Sequence, residues 1–499
     1  MPDDRRPREQ RFEHRMSDAE ALMWNLEKDP RLNPSGGALL LLDRPLDFDH
    51  FRAQIASAVA AVPRLRERVA PGFARFSPPV WRPDPEFDLD YHLRRIALAA
   101  PGSERQLLDL VAAVYQDPYD RTRPLWMFYI VEGLEDGHAA LIWKIHHTVA
   151  DGIGAGRIAE AYLQPTRDAP FAPPVDLDAV IAAAVAGADT TPSGAQALVS
   201  SAAGSVSHAA RRQVGISRRV MGELALWGAD PVRARDLAAD FGRSVQQVRD
   251  QLGTGEADDE EGEGPGGSPL WRQRSRHRHL ELLSFPLDAA LAAAKRLGGS
   301  FNDWFVTGVV DGAVAYHDHR GVALTSLRTS FVVSTRTDEA IGGNSFTPTR
   351  VSLPAGPMDP KQRFAEISDR LQAKRRDVRG KGLLSGLAGV ANLLPTSFVT
   401  GFARSRAASQ DFATSNLRGA RSPVYISGAR VDGNHPFGPL AGTAFNITCM
   451  SYAGAVGMGL FVDPVAVDDP ADLRADILAA YEELSAGSPG GSGGRRRRR

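Results

Sequence analysis

The stretch Leu141-Ile142-Trp143-Lys144-Ile145-His146-His147-Thr148-Val149-Ala150-Asp151-Gly152 constrains this chain more than any other. An apolar run ends on two adjacent histidines, Asp151 and Gly152 follow, and an amphipathic stretch runs from Ile153 to Leu163. The pattern predicts a strand, a tight loop and a helix, with titratable groups at the join. Side chains alternate faces along a strand, so one histidine enters a site while the other faces the body of its domain. An imidazole placed there can serve as a general base, because its ordinary pKa lies near neutrality. Asp151 can orient an imidazole or pair with a distant Arg to hold the loop. Gly152 lets the chain turn where a Cβ would obstruct.

The 499 residues exceed one ordinary core and suit two domains. Hydrophobic residues at 43% and charged residues at 24% give the balance of a soluble globular chain. A formal net charge of -1 offers no global argument for nucleic acid or a membrane surface. The single cysteine, Cys449, excludes a disulfide framework and reads as a small buried residue. Met1 to Arg15 is rich in charge without an apolar core, so no secretory leader is expected. No apolar run reaches the ~20 residues that span a bilayer. The expectation is a cytoplasmic protein, at most peripherally associated with a membrane.

Residues 1–16 read as a charged arm, 17–164 as a first α/β lobe, 165–270 as a crossover, 271–486 as a second lobe and 487–499 as a basic tail. Ser17 caps a short helix through Leu26, and Gly37 to Asp43 reads as a buried strand. Phe51, Ile55, Val59 and Val62 recur at helical spacing ahead of Pro63. Ser103 and Gln106 form a capping box for a helix carrying Leu107, Leu108, Val111 and Val114. Leu125 to Val131 and Ala139 to Ile145 pair as a hairpin, which puts the histidines at a strand end. Prolines 165, 170, 173 and 174 and an acidic, Gly-rich run from Asp258 to Gly267 mark the crossover.

In the second lobe, strands are expected at Leu280 to Phe285, Thr329 to Ser334, Thr349 to Leu353, Val424 to Val431, Gly442 to Tyr452 and Val456 to Val462. Helices are expected at Leu287 to Leu297, after Ser300, at Pro360 to Val378, Gly382 to Arg404 and Pro470 to Leu484. The mixture is α/β in both halves.

Three other chemistries compete for the histidines. Zinc needs three or four convergent ligands, and neither His-Glu-x-x-His nor Cys-x-x-Cys occurs; His317-Asp318-His319 lies at the polar end of an expected helix. Gly152-Ile153-Gly154-Ala155-Gly156 lies where a dinucleotide loop would, but Arg157 takes the third glycine position. The one G-x-S-x-G string, Gly490 to Gly494, lacks the strand–turn–helix context of a serine nucleophile.

His-His-x-x-x-Asp-Gly resembles the signature of the CoA-dependent acyltransferase superfamily, which includes chloramphenicol acetyltransferase and peptide-synthetase condensation domains. Further strings resemble one branch, the bacterial wax ester synthase/diacylglycerol acyltransferases. They are Pro124-Leu125-Trp126, Ser300-Phe301-Asn302-Asp303, Val333-Ser334-Thr335-Arg336, Gly343-Asn344, Asn446-Ile447-Thr448, Ser451-Tyr452-x-Gly454 and Gly459-Leu460-x-x-Asp463. The order and spacing cover roughly Ser17 to Leu484. One departure is Ser415-Asn416-Leu417-Arg418-Gly419-Ala420, where the family commonly reads S-N-V-P-G-P.

The resemblance implies two chloramphenicol acetyltransferase-like lobes with a tunnel between them. His147 would be the general base, His146 a support of the loop, and Asp151 a structural partner for Arg336. Asn302, Asp303, Pro124, Leu125 and Trp126 would serve substrate binding, with helix capping an open alternative for the first two. The implied partners are a long-chain acyl-CoA and diacylglycerol or a fatty alcohol, with no metal or cofactor and no nucleic acid. Contact with a membrane or lipid-droplet surface is expected for such amphiphiles; the Leu-rich stretch from Gly382 to Arg404 is a candidate contact element, with a buried core helix the open alternative. A donor held on a carrier protein, as in condensation domains, and a non-catalytic lipid-binding role are the alternatives.

Overall fold

The computed structural model describes residues 14–71, 78–150, 152–189, 267–334, 346–380 and 396–486. Apolar strands and amphipathic helices alternate through both halves, and the strands gather into two six-stranded mixed sheets. In chain order the strands are β1 (Ser35–Leu42), β2 (Glu67–Ala70), β3 (Val80–Pro83), β4 (Leu93–Ala97), β5 (Trp126–Glu132), β6 (Ala139–His146) and β7 (His279–Pro286). They continue as β8 (Ser326–Ser334), β9 (Phe346–Pro354), β10 (Phe412–Arg418), β11 (Tyr425–Ile426), β12 (Ala429–Phe437), β13 (Phe445–Tyr452) and β14 (Ala455–Val462). The first sheet has the order β11-β12-β1-β6-β5-β4, the second β7-β14-β13-β10-β8-β9, and β2 and β3 form a separate ribbon.

Every residue of β6 is buried, which suits a central strand covered on both faces. Leu141, Trp143 and Ile145 face the helix Phe48–Ala61, packing with Phe51, Ile55 and Val59. Ala140 and Ile142 face the helix Glu104–Gln116, where Leu107, Leu108, Val111 and Tyr115 meet Phe437 and Phe461 from the second half. In the second lobe, Ile447, Cys449, Met458 and Leu460 pack under the helices Phe301–His319 and Pro470–Ala486. Asn446, Thr448, Gly457 and Gly459 alternate with them and turn toward the first lobe.

The expected hairpin is present: β5 and β6 pair antiparallel from Trp126↔Ile145 to Val131↔Ala140. Ser103 forms its capping box as expected, and Ser17, expected as an N-cap, closes a full capping box with Glu20 as well. The stretch from Val424 to Val431, expected as one strand, is instead two strands. Ser427 (φ 45) and Gly428 (φ 86) reverse the chain between β11 and β12.

Strand β12 then runs on to Phe437 and pairs with β1 of the first sheet, from Gly37↔Phe437 to Leu42↔Val431. The expected division into consecutive lobes at 17–164 and 271–486 is therefore corrected: residues 425–437 belong to the first sheet. β10, which carries the Ser415–Arg418 run, has no counterpart among the expected strands. It pairs parallel with both β8 and β13. The crossover includes the helix Leu177–Asp189; its acidic run, the basic tail and most of the Leu-rich stretch from Gly382 lie outside the described residues.

Candidate active site

Strand β6 delivers the histidine pair, and its neighbours fix it in register. Ser35 of β1 lies opposite His146, the His146 N–H donates to Leu125 O at 3.0 Å, and the Val149 N–H donates back to His146 O at 2.9 Å. Pro124, Leu125 and Trp126 are all buried. Trp126 stacks on His92 with ring centroids 4.2 Å apart, and its indole N–H donates to Leu65 O at 2.8 Å. The structure thus uses these three residues to buttress the histidine strand. None of them lines the inter-lobe cavity described below.

His146 is fully buried. The Thr148 N–H donates to its Nδ1 at 3.1 Å, with the Thr148 hydroxyl 2.7 Å away, so Nδ1 is an acceptor and the ring proton sits on Nε2. Nε2 faces Glu27 Oε2 at 3.7 Å, beyond hydrogen-bond length. Burial, reinforced by the charges of His147, Arg121 and Lys144, drives its pKa well below the ordinary histidine value. It stays neutral and held.

Glu27 itself pairs with Arg121 at 3.2 Å, and Arg121 lies 3.3 Å over the Trp24 ring. Burial pushes the Glu27 carboxyl up, against the opposing pull of Arg121 and Lys144. Lys144, on the same face of β6 as His146, donates to Val114 O at 2.9 Å and to Asp117 O, closing the end of the helix Glu104–Gln116. Burial lowers its pKa to about 8. Glu27, Arg121 and Lys144 escaped the sequence reading. Only the lysine carried a signal, as a cation inside an apolar strand.

His147 emerges on the opposite side of the sheet and is half-buried. Its Nε2 lies 3.8 Å from where a Cβ on Gly36 would stand; Phe437 O and Gly438 Cα lie 3.2 and 4.0 Å from the same point. Behind Gly438 stand Asn446 and Thr448 of β13: a Cβ on Gly438 would meet Thr448 Oγ1 at 2.8 Å and the Asn446 amide at 2.9 Å. Thr448 Oγ1 donates to Asn446 Oδ1 at 2.7 Å, and Asn446 Nδ2 donates to Pro439 O at 3.1 Å. The imidazole, the glycine gap, the end of β12 and this polar pair meet at the seam between the two sheets.

Other expected site residues lie elsewhere. Gly152 opens the helix Gly152–Glu160, whereas Asp151 and Arg336 are outside the described residues. Asp303 is buried in the helix layer of the second lobe. It closes a capping box with Ser300 and accepts from Ser368 Oγ at 3.2 Å. Asn302 follows Phe301 in the first turn, and its amide nitrogen is buried without a partner among the described residues. His317 uses both ring nitrogens, on Ala313 O and Ser268 Oγ, each at 2.7 Å. Cys449 is buried, which pushes its thiol pKa up.

A cavity of about 430 Å³ opens between the lobes. Glu27, Asn33 and Tyr115 line it from the first lobe, and Arg276, His277 and Arg278, just ahead of β7, from the second.

Two mixed sheets, the first completed by β11 and β12 from the C-terminal half, with a histidine pair near their seam and a cavity between them, define the two-lobed chloramphenicol acetyltransferase-like fold. Solved structures share that fold. A wax ester synthase/diacylglycerol acyltransferase from Marinobacter aquaeolei VT8 aligns with a TM-score of 0.61 at 20% identity, covering 95% of this chain and 99% of the other. The first condensation domain of the calcium-dependent antibiotic synthetase aligns with a TM-score of 0.57 at 18% identity, covering 95% of each chain.

Residues 16–305 match the wax ester synthase/diacylglycerol acyltransferase catalytic domain, and residues 342–485 match the WS/DGAT C-terminal domain. The chain belongs to this family. Among its relatives is a Mycobacterium tuberculosis protein provisionally named a diacylglycerol O-acyltransferase, 29% identical over 95% of this chain and 92% of the relative. Another protein of that organism, also named as a diacylglycerol O-acyltransferase, is 29% identical over 90% of this chain and 91% of its own length.

Proposed function

We propose that the protein is an O-acyltransferase that moves a long-chain acyl group from acyl-CoA to the hydroxyl of diacylglycerol or a fatty alcohol, with His147 as general base. One observation carries this reading. Of two adjacent histidines, one is locked in the core as a neutral ring and the other leaves the sheet beside Gly36 at the inter-lobe seam. The acceptor hydroxyl gives its proton to His147 Nε2 as its oxygen attacks the thioester carbonyl carbon. The tetrahedral intermediate then expels the CoA sulfur, which takes that proton, leaving an ester and free CoA. Holding both substrates at one seam makes the attack effectively intramolecular, so no acyl-enzyme is required. In this reading Asp151 and Arg336 pair to hold the loop, and Gly152 admits its turn.

The test is transfer from labelled palmitoyl-CoA to diacylglycerol and hexadecanol side by side, with product identification and an acyl-carrier-protein donor in parallel. His147→Ala is expected to lower the rate by roughly 10²–10⁴-fold without a large change in melting temperature. Ester formation by His147→Ala at the wild-type rate removes the assignment, and transfer only from the carrier protein replaces the donor.

A further inference from the structure

In the proposed transfer, attack on the thioester puts a negative charge on its carbonyl oxygen. At a buried seam that charge needs a hydrogen-bond donor already in place. His147 Nε2 is occupied with the acceptor's proton. Phe437 O, 3.2 Å from where a Cβ on Gly36 would stand, is itself an acceptor and would repel an oxyanion. On the far side of Gly438 stand the Asn446 amide and the Thr448 hydroxyl.

Strand alternation puts both on the face of β13 that looks at the first lobe, away from Ile447 and Cys449 in the second-lobe core. Opposite Asn446 on β14 is Phe461, which packs with Leu39, Tyr115 and Phe437 across the seam. Asn446 is 4% exposed and Thr448 3%. Their bonds settle the orientation of the amide. Thr448 Oγ1 gives its proton to Asn446 Oδ1 at 2.7 Å, so the other end of the amide is the nitrogen. Nδ2 carries two protons. One goes to Pro439 O at 3.1 Å, and the second has no partner among the described residues. A buried N–H is costly to leave unbonded. The Cβ that Gly438 lacks would stand 2.9 Å from Nδ2, and Gly438 Cα lies 4.0 Å from the Cβ position of Gly36, beside His147. A glycine here keeps the amide open toward the imidazole.

We infer that Asn446 is the oxyanion donor of the transfer, its second Nδ2–H bonding the thioester oxygen across Gly438 from His147. Thr448 is a positioning residue that holds the amide. The inference rests on the proposed acyl transfer. As the acceptor oxygen bonds to the carbonyl carbon, the C=O electron pair moves onto oxygen and meets Asn446, while the hydroxyl proton moves to His147 Nε2. When that pair returns, the C–S bond breaks and sulfur takes the proton from His147. Asn446 neither gains nor loses a proton.

The experiment measures palmitoyl-CoA transfer to hexadecanol, beside thermal melts, for Asn446→Ala, Asn446→Asp, Thr448→Val and Ser415→Ala. Asn446→Ala should lower kcat by roughly 10²–10³-fold. The KM for palmitoyl-CoA and the pH profile of kcat/KM should not move, because the base is intact. Asn446→Asp keeps the shape, removes the donor and should lose at least as much. Thr448→Val should lose about tenfold alone and nothing further in the Asn446→Ala background, since it acts through the amide. Ser415, opposite Thr448 on β10, should be replaceable at wild-type kcat.

Binding gives a readout apart from turnover. A CoA thioether without a carbonyl should bind wild type and Asn446→Ala alike. A trifluoromethyl ketone analogue of palmitoyl-CoA, which hydrates to a tetrahedral centre, should lose about tenfold or more in the variant. Thr448→Val reads the same pair of ligands if the Asn446 variants fail to fold. Wild-type kcat in Asn446→Ala, or equal binding of the ketone by both proteins, overturns the donor. So does a fall in kcat that merely tracks a fall in melting temperature, which would assign the amide to structure alone. A loss in Ser415→Ala with Asn446→Ala unaffected moves the role to β10. If the wild type transfers nothing from palmitoyl-CoA yet prefers the ketone through Asn446, the reaction assignment fails while the donor stands.

Discussion

His146 and His147 are adjacent in sequence, yet one carries a fixed tautomer inside the core and the other faces the seam. The division rests on small neighbours, and Gly36 is the sharpest of them. A Cβ at this position would stand 3.2 Å from Phe437 O and 3.8 Å from His147 Nε2. Gly36→Ala needs only a few tenths of an ångström of give, so its stability should fall by about 1 kcal/mol. Gly36→Val adds methyl groups beside the ring, and kcat is expected to drop by roughly 10²-fold as the acceptor is displaced. Steady-state kinetics set against thermal melts check this, and a Gly36→Val enzyme with wild-type kcat would mean the hydroxyl approaches His147 from elsewhere.

His92 makes a different prediction. It is buried beneath Trp126, with Nδ1 bonded to Trp126 O at 2.8 Å, and burial lowers its pKa to about 4. The unfolded chain takes up that proton near pH 6.5, the folded chain only near pH 4, so the unfolded state binds more protons in between. Stability from this group is present above pH 6.5 and is lost as pH falls toward 4, by roughly 3 kcal/mol. Urea unfolding of His92→Gln, which cannot titrate there, should lose less on acidification than the wild type. Equal losses would assign the acid sensitivity to other groups.

At the scale of elements, β12 explains both what the sequence revealed and what it hid. It pairs with β1 in the first sheet and lies against β14 of the second, where glycines let the backbones touch. A Cβ at Gly457 would stand 2.2 Å from Asn434 O, and one at Gly459 2.3 Å from Pro436 O. Neither contact can relax by rotating a side chain. Gly459→Ala should therefore cost about 3 kcal/mol or more in chemical denaturation, above the usual range for a surface change. A variant as stable as the wild type would show that β12 is not pressed against β14.

The same strand shows the limits of the sequence. Apolar runs such as Ala139–His146 and Ala455–Val462 announce themselves, because burial on both faces demands it. β12 reads Ala-Arg-Val-Asp-Gly-Asn-His-Pro-Phe, a largely polar strand in which Arg430 and Asp432 are exposed and only its last three residues form a continuous buried run. The turn at Ser427–Gly428 was hidden inside an apparent strand, since serine seldom takes positive φ. The split of the histidines was legible because strand alternation is local. Glu27 and Arg121 were not, because only the fold brings them to His146.

At the scale of the whole molecule, strands β11 and β12, given by the C-terminal half to the first sheet, make the two lobes interdependent. Without β11 and β12, β1 would become an edge of the first sheet, presenting unpaired backbone along Gly37 to Leu42. Its apolar neighbours would be uncovered as well, because Leu39, Ile142 and Tyr115 pack with Phe437, Leu440 and Phe461 from the C-terminal half. A long apolar edge of this kind templates association with other chains. Residues 1–189 expressed alone should therefore aggregate, and co-expression with residues 190–499 should return them to solution as a complex that co-elutes on size exclusion. A soluble, monomeric fragment 1–189 with a cooperative unfolding transition would mean the first sheet closes without its borrowed strand. The seam beside His147 would then be an interface between finished domains. Recovery only on co-expression places His147 at a joint that exists when both halves have folded together, which ties formation of the gap beside this histidine to completion of the first sheet.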